Sequence, residues 1–198
     1  MQTNCPDSLF DYVEAFQILR ASRAVNEALG GWLRASEMYP MMAQRTILTK
    51  LKGMGDCGMN GALLVLEDAV EQKVSSSNSL DYMSLAMQSL KDWVKSCDGQ
   101  PRRWHHFIYW PSSLPERYVE AVRQDENLAL VLFLYWLAIL RMAPPRWFME
   151  RWIIRAAHHI KGKLFFEWDE LTAWPISIIN MGRDELSFQS KRPTIDAT

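Results

Sequence analysis

Cysteine is scarce in this chain of 198 residues, and its few cysteines follow no metal-binding pattern. Cys5, Cys57 and Cys97 match no zinc-ligand spacing, and an odd number cannot all pair as disulfides. No stretch near the start joins a positively charged region to an apolar core as a secretory signal does. We therefore expect an intracellular protein, in the cytoplasm or the nucleus, whose thiols are reduced.

An excess of positive charge is also lacking. The chain has 22 Lys and Arg against 23 Asp and Glu, which gives a net charge of -1. A protein that holds a nucleic-acid backbone neutralises phosphates with clustered basic side chains. The charge balance therefore predicts that nucleic acid is not a direct partner.

The signatures of common catalytic and cofactor sites are lacking as well. The chain has no GxSxG, no HExxH, no paired Cys-His signature and no DDxxD motif. The glycine-rich stretch KGMGDCGMNG, residues 52–61, matches neither GxxxxGK[ST] nor GxGxxG, so it predicts no phosphate loop. We expect no metal and no cofactor.

Strand-like alternation is absent, whereas helical periodicity recurs along the chain. The pattern predicts an all-α single domain over residues 1–182, with about seven or eight helices packed orthogonally, and a polar tail over residues 183–198. The expected helices run from near Ser8 to Gly30-Gly31, Trp32 to Leu51, Ala62 to Lys73, Leu80 to Cys97, Pro115 to Asp125, Leu128 to Leu140, Pro145 to Ile160 and Glu167 to Ala173.

One long hydrophobic run is present, from Leu128 to Leu140. As a helix it would be about 20 Å long, which is shorter than the roughly 30 Å hydrocarbon core of a bilayer. A helix that is apolar on all sides in such a chain is typical of a central buried helix. Pro144-Pro145 then predicts a corner, because a residue before proline avoids helical backbone angles.

Tryptophan is abundant, with nine residues, of which seven lie from Trp104 onward. Each indole offers a large apolar face and one N–H donor. Two interpretations stay open: a well-filled helical core, or an aromatic-lined cavity for a rigid apolar ligand.

The order of motifs in the C-terminal half resembles the regulatory domain of fungal zinc-cluster transcription factors of the sterol-uptake-control type. The matching elements are Trp110-Pro111, Pro115-Glu116, Ala129-Leu130-Val131, Tyr135, Trp147 with Trp152, and Trp174-Pro175. The resemblance covers about seventy residues, and the N-terminal half fits only loosely. Such factors also carry a six-cysteine zinc cluster that reads DNA, which three scattered cysteines cannot build.

The resemblance implies that the chain binds a rigid apolar molecule, sterol-like or terpenoid-like, in a pocket built by its C-terminal helices. It would serve fungal regulation or secondary metabolism without binding DNA itself. The expected ligand contacts are Trp110, Leu132, Tyr135, Trp136, Trp147, Trp152 and Trp174. Exposed parts of the tryptophan-rich surface are expected to allow a homodimer.

The alternative is a cofactor-independent cyclase that uses the same pocket. A Diels–Alder closure of a terpenoid or polyketide needs no nucleophile, because holding the folded substrate near its reacting geometry accelerates it. Hydrogen bonds to a carbonyl would add to that effect. The candidate donors are His105, His106 and Tyr109, with Tyr135 and Trp174 as further ones. Two or more convergent donors inside the cavity would indicate a catalyst, and a purely apolar wall a binder.

Overall fold

The computed structural model describes residues 12–35, 58–75, 81–144 and 146–182. These residues form eight α-helices and one turn of 3-10 helix, and no strand occurs among them, so the prediction of an all-α domain is confirmed. Along the chain the helices are α1 (Tyr12–Ala35), α2 (Met59–Ser75), α3 (Asp81–Ser96), α4 (Trp104–Ser113), α5 (Glu116–Arg123), α6 (Asn127–Arg141), α7 (Trp147–Lys163) and α8 (Asp169–Asn180), with the 3-10 turn at Phe166–Trp168.

Helix α6 carries the hydrophobic run and is buried at every residue from Leu128 to Arg141. It contacts α3, α5, α7 and α8, and α1 packs chiefly on α4. An apolar helix of this length lowers its free energy most when all its sides leave water, which is the arrangement observed. None of the described helices is long and apolar enough to cross a membrane.

Two predicted helix ends are wrong. Helix α1 continues through Gly30-Gly31 to Ala35. Glycine weakens a helix by about 1 kcal/mol, but it keeps its N–H and does not forbid helical angles. Helix α8 continues through Pro175 to Asn180. Pro175 removes one backbone hydrogen bond, while the buried side chains of Ile178 and Ile179 on the following turn offset that loss.

Other predictions fall partly outside the described residues. The helix expected from Trp32 to Leu51 contributes its first four residues to the end of α1, and residues 36–51 lie outside the described part. The predicted tail, residues 183–198, also lies outside it. Helix α4 was not predicted as a separate helix, because Pro111 near its end and the short segment length hide its period.

Two helices end in the same kind of left-handed cap. At the end of α5, Asp125 has φ of +57°, and Glu126 N–H donates to the Ala121 carbonyl at 2.9 Å. After α3, Asp98 and Gly99 have φ of +50° and +65°, and the Gly99 N–H donates to the Val94 carbonyl at 2.9 Å. These bonds satisfy carbonyls that a helix end leaves free, and they turn the chain sharply.

The cap after α5 also joins the two ends of the domain. Asp125 accepts a hydrogen bond from the Tyr12 hydroxyl at 3.2 Å and one from the Lys163 ammonium at 2.7 Å. Glu126 accepts another from the Tyr82 hydroxyl at 2.8 Å. One short turn thus holds α1, α3 and α7 in place.

A buried guanidinium fixes the C-terminal ends of α6 and α8. Arg141 is only 7% exposed, and its Nη1 donates to Glu150 Oε1 at 3.0 Å. Its Nη2 lies 3.5 Å from the Met181 carbonyl oxygen, and its Nε has no acceptor among the described residues. The side chain thereby links α6, α7 and the end of α8.

The second half of α1 carries exposed apolar side chains. Its buried residues, Tyr12, Val13, Phe16 and Leu19, all lie in its first eight positions. Beyond them, Val25, Leu29 and Trp32 are exposed, Trp32 to 71%. These apolar side chains on the second half of α1 therefore lie largely in water.

Candidate functional site

Five helices contribute rings to one aromatic cluster, which we define as Phe16, Trp110, Tyr118, Phe133, Trp136 and Trp152. Trp136 is its centre, and its ring centroid lies 5.6 Å from Phe16, 5.6 Å from Trp110, 5.3 Å from Phe133 and 6.0 Å from Trp152. Most of these pairs meet tilted or edge to face, which is the geometry that the ring quadrupoles favour. The cluster is the packed centre of the domain.

The polar atoms around the cluster divide into paired and unpaired groups. Trp110 Nε1 donates to the Ala86 carbonyl at 3.2 Å, and the Tyr118 hydroxyl donates to the Ala129 carbonyl at 2.9 Å. Trp136 Nε1 and Trp152 Nε1 are buried and have no acceptor among the described residues. A buried donor without an acceptor costs about 1–3 kcal/mol, so each of these two indole N–H groups lowers the stability of the folded chain.

The structure brings most of the predicted ligand contacts together. Trp110, Leu132, Tyr135 and Trp136 are fully buried, and Trp152 is nearly so. Tyr135 lies beside the half-buried Trp174, with ring centroids 5.3 Å apart, and its hydroxyl donates to the Ala62 carbonyl at 3.2 Å. The side chain of Trp147 lies outside the described part.

These residues pack against one another rather than around an open space. Neither the cleft between α2 and α3 nor the one beside α1 is lined by Trp110, Leu132, Tyr135, Trp136 or Trp152. The geometry is that of a well-filled core, and the ligand role of these side chains stays a prediction.

The candidate catalytic residues lie on α4. His105 and Tyr109 are exposed, while His106 is half-buried with its ring centroid 4.2 Å from that of His105. His106 Nδ1 accepts a hydrogen bond from the Arg102 backbone N–H at 3.2 Å, and its carbonyl accepts one from Trp93 Nε1 at 2.6 Å. None of the three is a member of the aromatic cluster, and their catalytic role stays a prediction.

Burial keeps His106 neutral. Desolvation, followed by the neighbouring charges of His105, Arg103 and Arg102, lowers the pKa of His106 from 6.5 to about 4. Desolvation, followed by the charge of Arg103, also lowers the pKa of His105. The Nδ1 acceptor of His106 fixes its proton on Nε2.

The lowered pKa of His106 predicts a stability that falls in acid. The unfolded chain binds a proton near pH 6.5, whereas the folded chain resists it until about pH 4, so the free energy of unfolding decreases as pH falls between those values. His106→Asn keeps an acceptor near Nδ1 but does not titrate, and we expect urea unfolding of this variant to depend less on pH. Parallel pH profiles of the two proteins would contradict the assignment.

The larger open cleft lies between α2 and α3 and has a volume of about 690 Å³. We call it the α2–α3 groove. Its apolar lining consists of Met59, Leu63, Leu64, Val94 and Met142. Its charged lining includes Glu67 from α2 and Lys91, Asp92 and Lys95 from α3. An apolar floor beside a few polar groups is typical of a small-molecule site.

Local contacts hold the two sides of the groove. Lys91 and Glu67 form an ion pair across it, and Gln88 Nε2 donates to Asp92 Oδ1 at 3.0 Å along its α3 side. At one end, Gly99 lies against the Met59 side chain so closely that a Cβ on Gly99 would collide with it. The left-handed turn after α3 and the Met59 side chain are therefore in close contact at this end of the groove.

Sequence reasoning missed this groove, although a signal was present. Helix α2 carries Leu63, Leu64, Val65 and Leu66 in succession, and four successive positions span all sides of a helix. Only Leu63 and Leu66 are buried in the core, while Leu64 is 61% exposed. The surplus of apolar residues in α2 was the available indication of a second apolar surface.

The described residues contain no group of three or more His, Cys, Asp or Glu side chains arranged to hold a metal ion. In comparisons with known proteins, no family model, no curated protein and no solved structure matches the chain.

Proposed function

We propose that the chain binds a rigid apolar small molecule of sterol or terpenoid type, and that the α2–α3 groove is where it does so. The observation that carries the proposal is the volume of about 690 Å³ over an apolar floor. Ligand sites of drug-sized molecules span roughly 300–1,000 Å³. The aromatic cluster offers no comparable space.

The chemistry of the groove favours a ligand with an apolar body and a polar end. Leucine, valine and thioether side chains supply non-directional contact, and methionine adapts to irregular shapes. The polar lining offers donors and acceptors from Gln88, Lys91 and Asp92. A sterol or an oxygenated terpenoid has that division, with fused rings and one or two hydroxyl or carbonyl groups.

The test uses dehydroergosterol, a fluorescent sterol, as the probe. Leu64→Glu places a charge on the apolar floor and is expected to weaken binding by about tenfold or more. Leu85→Glu is the matched control, because Leu85 is an exposed leucine of α3, at 59%, that does not line the groove. Fluorescence titration of the three proteins measures the effect. Equal affinities, or no binding by the unaltered chain, would refute the sterol proposal at this site.

The setting of this activity rests on the resemblance of the C-terminal half. We propose an intracellular role in fungal regulation or secondary metabolism, with no direct contact to nucleic acid. The net charge of -1 supports the absence of direct contact with nucleic acid.

We also propose that two copies pair as a homodimer, and the exposed Trp32 and its apolar neighbours on α1 support that pairing. Sedimentation equilibrium of the purified chain measures its molecular mass in solution, and the mass of a single chain would contradict the pairing.

A cofactor-free cyclase is the second proposal, and one observation favours it. The unpaired indole N–H groups of Trp136 and Trp152 belong to adjacent rings, as two donors that hold a substrate carbonyl would. This chemistry requires the aromatic cluster to open around the substrate. Incubating the chain with an apolar fungal extract and analysing bound and free compounds by mass spectrometry separates the two functions. A compound retained unchanged supports a binder, and a new isomer of equal mass supports a cyclase.

A further inference from the structure

The turn between α7 and α8 presents two adjacent aromatic rings to solvent. Phe165 is 69% exposed and Phe166 is 85% exposed. Leu164 before them and Trp168 after them are buried in the core. Both ends of the turn are therefore anchored, and the two rings are held outward by a structure that is itself well packed.

Two neighbouring phenylalanine rings in water favour binding to a partner, because binding would remove their apolar surface from water. Single exposed apolar residues are common on protein surfaces, whereas neighbouring ones mark interaction sites. Burying a phenylalanine side chain contributes about 1.5–3 kcal/mol. Neither ring lines one of the clefts described above, so the turn projects toward a partner rather than receiving one.

The charges beside the turn nearly balance, with Lys73, Lys161 and Lys163 against Asp125, Glu167, Asp169 and Glu170. Lys161 pairs with Asp169, and Lys163 pairs with Asp125 at 2.7 Å. Lys73 lies 5.7 Å from the centroid of the Trp168 ring, and Trp168 Nε1 donates to Glu167 at 3.0 Å. A partner with a strong net charge would therefore find a surplus of only one negative charge here.

We propose that the turn from Leu164 to Trp168 docks the chain on an electrically neutral lipid bilayer, with Phe165 and Phe166 inserted at the interface. Aromatic side chains favour the headgroup level of a membrane, where an apolar ring and nearby polar groups are both accommodated. A fluid surface needs no preformed pocket for the two rings. The balanced charge matches zwitterionic phosphatidylcholine rather than anionic lipid.

Docking of this kind goes beyond ligand binding and stands on different residues. It would hold the chain on the phase in which a sterol or terpenoid dissolves. The α2–α3 groove and the turn share no residue, so either property can fail while the other holds.

The experiment is co-sedimentation of the full chain with phosphatidylcholine vesicles. The double variant Phe165→Ser, Phe166→Ser is expected to lower the partition coefficient by at least about tenfold. The matched control, Ile18→Ser with Leu85→Ser, removes side chains that are 68% exposed on α1 and 59% exposed on α3, and it is expected to stay within about twofold of the unaltered chain. Addition of phosphatidylserine, or of salt, is expected to change the partition little.

Several results would overturn the proposal. They are no partition of the unaltered chain, equal losses in the two double variants, or binding that requires phosphatidylserine. Self-association that disappears only in the Phe165 and Phe166 variant would assign the turn to a protein interface instead. Leu64→Glu is expected to sediment with vesicles like the unaltered chain, which separates this outcome from failure of the groove. Thermal unfolding of each variant verifies that it is folded.

Discussion

Trp136→Ala is expected to lower the free energy of unfolding by about 3–5 kcal/mol. The ring is fully buried and contacts four other aromatic rings from α1, α4, α6 and α7. Truncation removes its apolar contacts and leaves a cavity that neighbours held by their own helices cannot fill. Its indole N–H has no acceptor among the described residues, so losing that donor adds no cost. Urea unfolding followed by far-UV circular dichroism measures the change.

Trp32→Ala is the matched control, because it removes the same side chain from a position that is 71% exposed. At protein concentrations too low for the proposed pairing through α1, we expect it to change the free energy of unfolding by no more than about 0.5 kcal/mol. If Trp136→Ala instead keeps the stability of the unaltered chain but loses an apolar ligand, Trp136 belongs to a cavity wall. That result would restore the aromatic cluster as the ligand site in place of the α2–α3 groove.

The second large effect is expected at the buried guanidinium of Arg141. Glu150→Ala should lower the free energy of unfolding by about 2–3 kcal/mol, because it leaves a charge in the interior without its carboxylate partner. Glu150 keeps 32% of its side-chain surface in water, so the loss falls below the range for fully buried pairs. The same denaturation experiment measures it.

The double variant Arg141→Met, Glu150→Leu distinguishes the lost pair from a lost packing contact. It removes the charge together with its partner, and we expect it to be considerably more stable than Glu150→Ala. A double variant that is less stable than Glu150→Ala would show that the contact of Arg141 with the Met181 carbonyl, rather than charge compensation, holds the end of α8.

The helices were predictable where burial and local pattern agree. The run from Leu128 to Leu140 predicts α6 almost to the residue, because every position is apolar and any packing buries it. The ends were less predictable at Gly30-Gly31 and at Pro175. At both places a residue that disfavours helix is outweighed, at Pro175 by the burial of Ile178 and Ile179, which local sequence does not reveal.

The candidate site was less predictable than the fold. The clustering of Trp110, Leu132, Tyr135 and Trp136 follows from their types, yet residue type does not tell whether rings pack together or surround a space. Whether a space remains depends on how completely side chains from five helices fill the core, and this can be seen only in the assembled structure. The α2–α3 groove is lined by two helices, the turn at Gly99 and the distant Met142, and no single helix reveals that combination.

The contacts that Asp125 makes with the two ends of the domain can form only late in synthesis. Tyr12 lies 113 residues before Asp125 and 151 residues before Lys163, so α1 leaves the ribosome long before the groups that hold it exist. At a few residues to some twenty residues per second, the face of Phe16 waits on the order of ten seconds for Trp110, Phe133 and Trp136. During that interval the nascent chain exposes an aromatic helix face to the cell, and it becomes a client for whatever chaperone shields such surfaces.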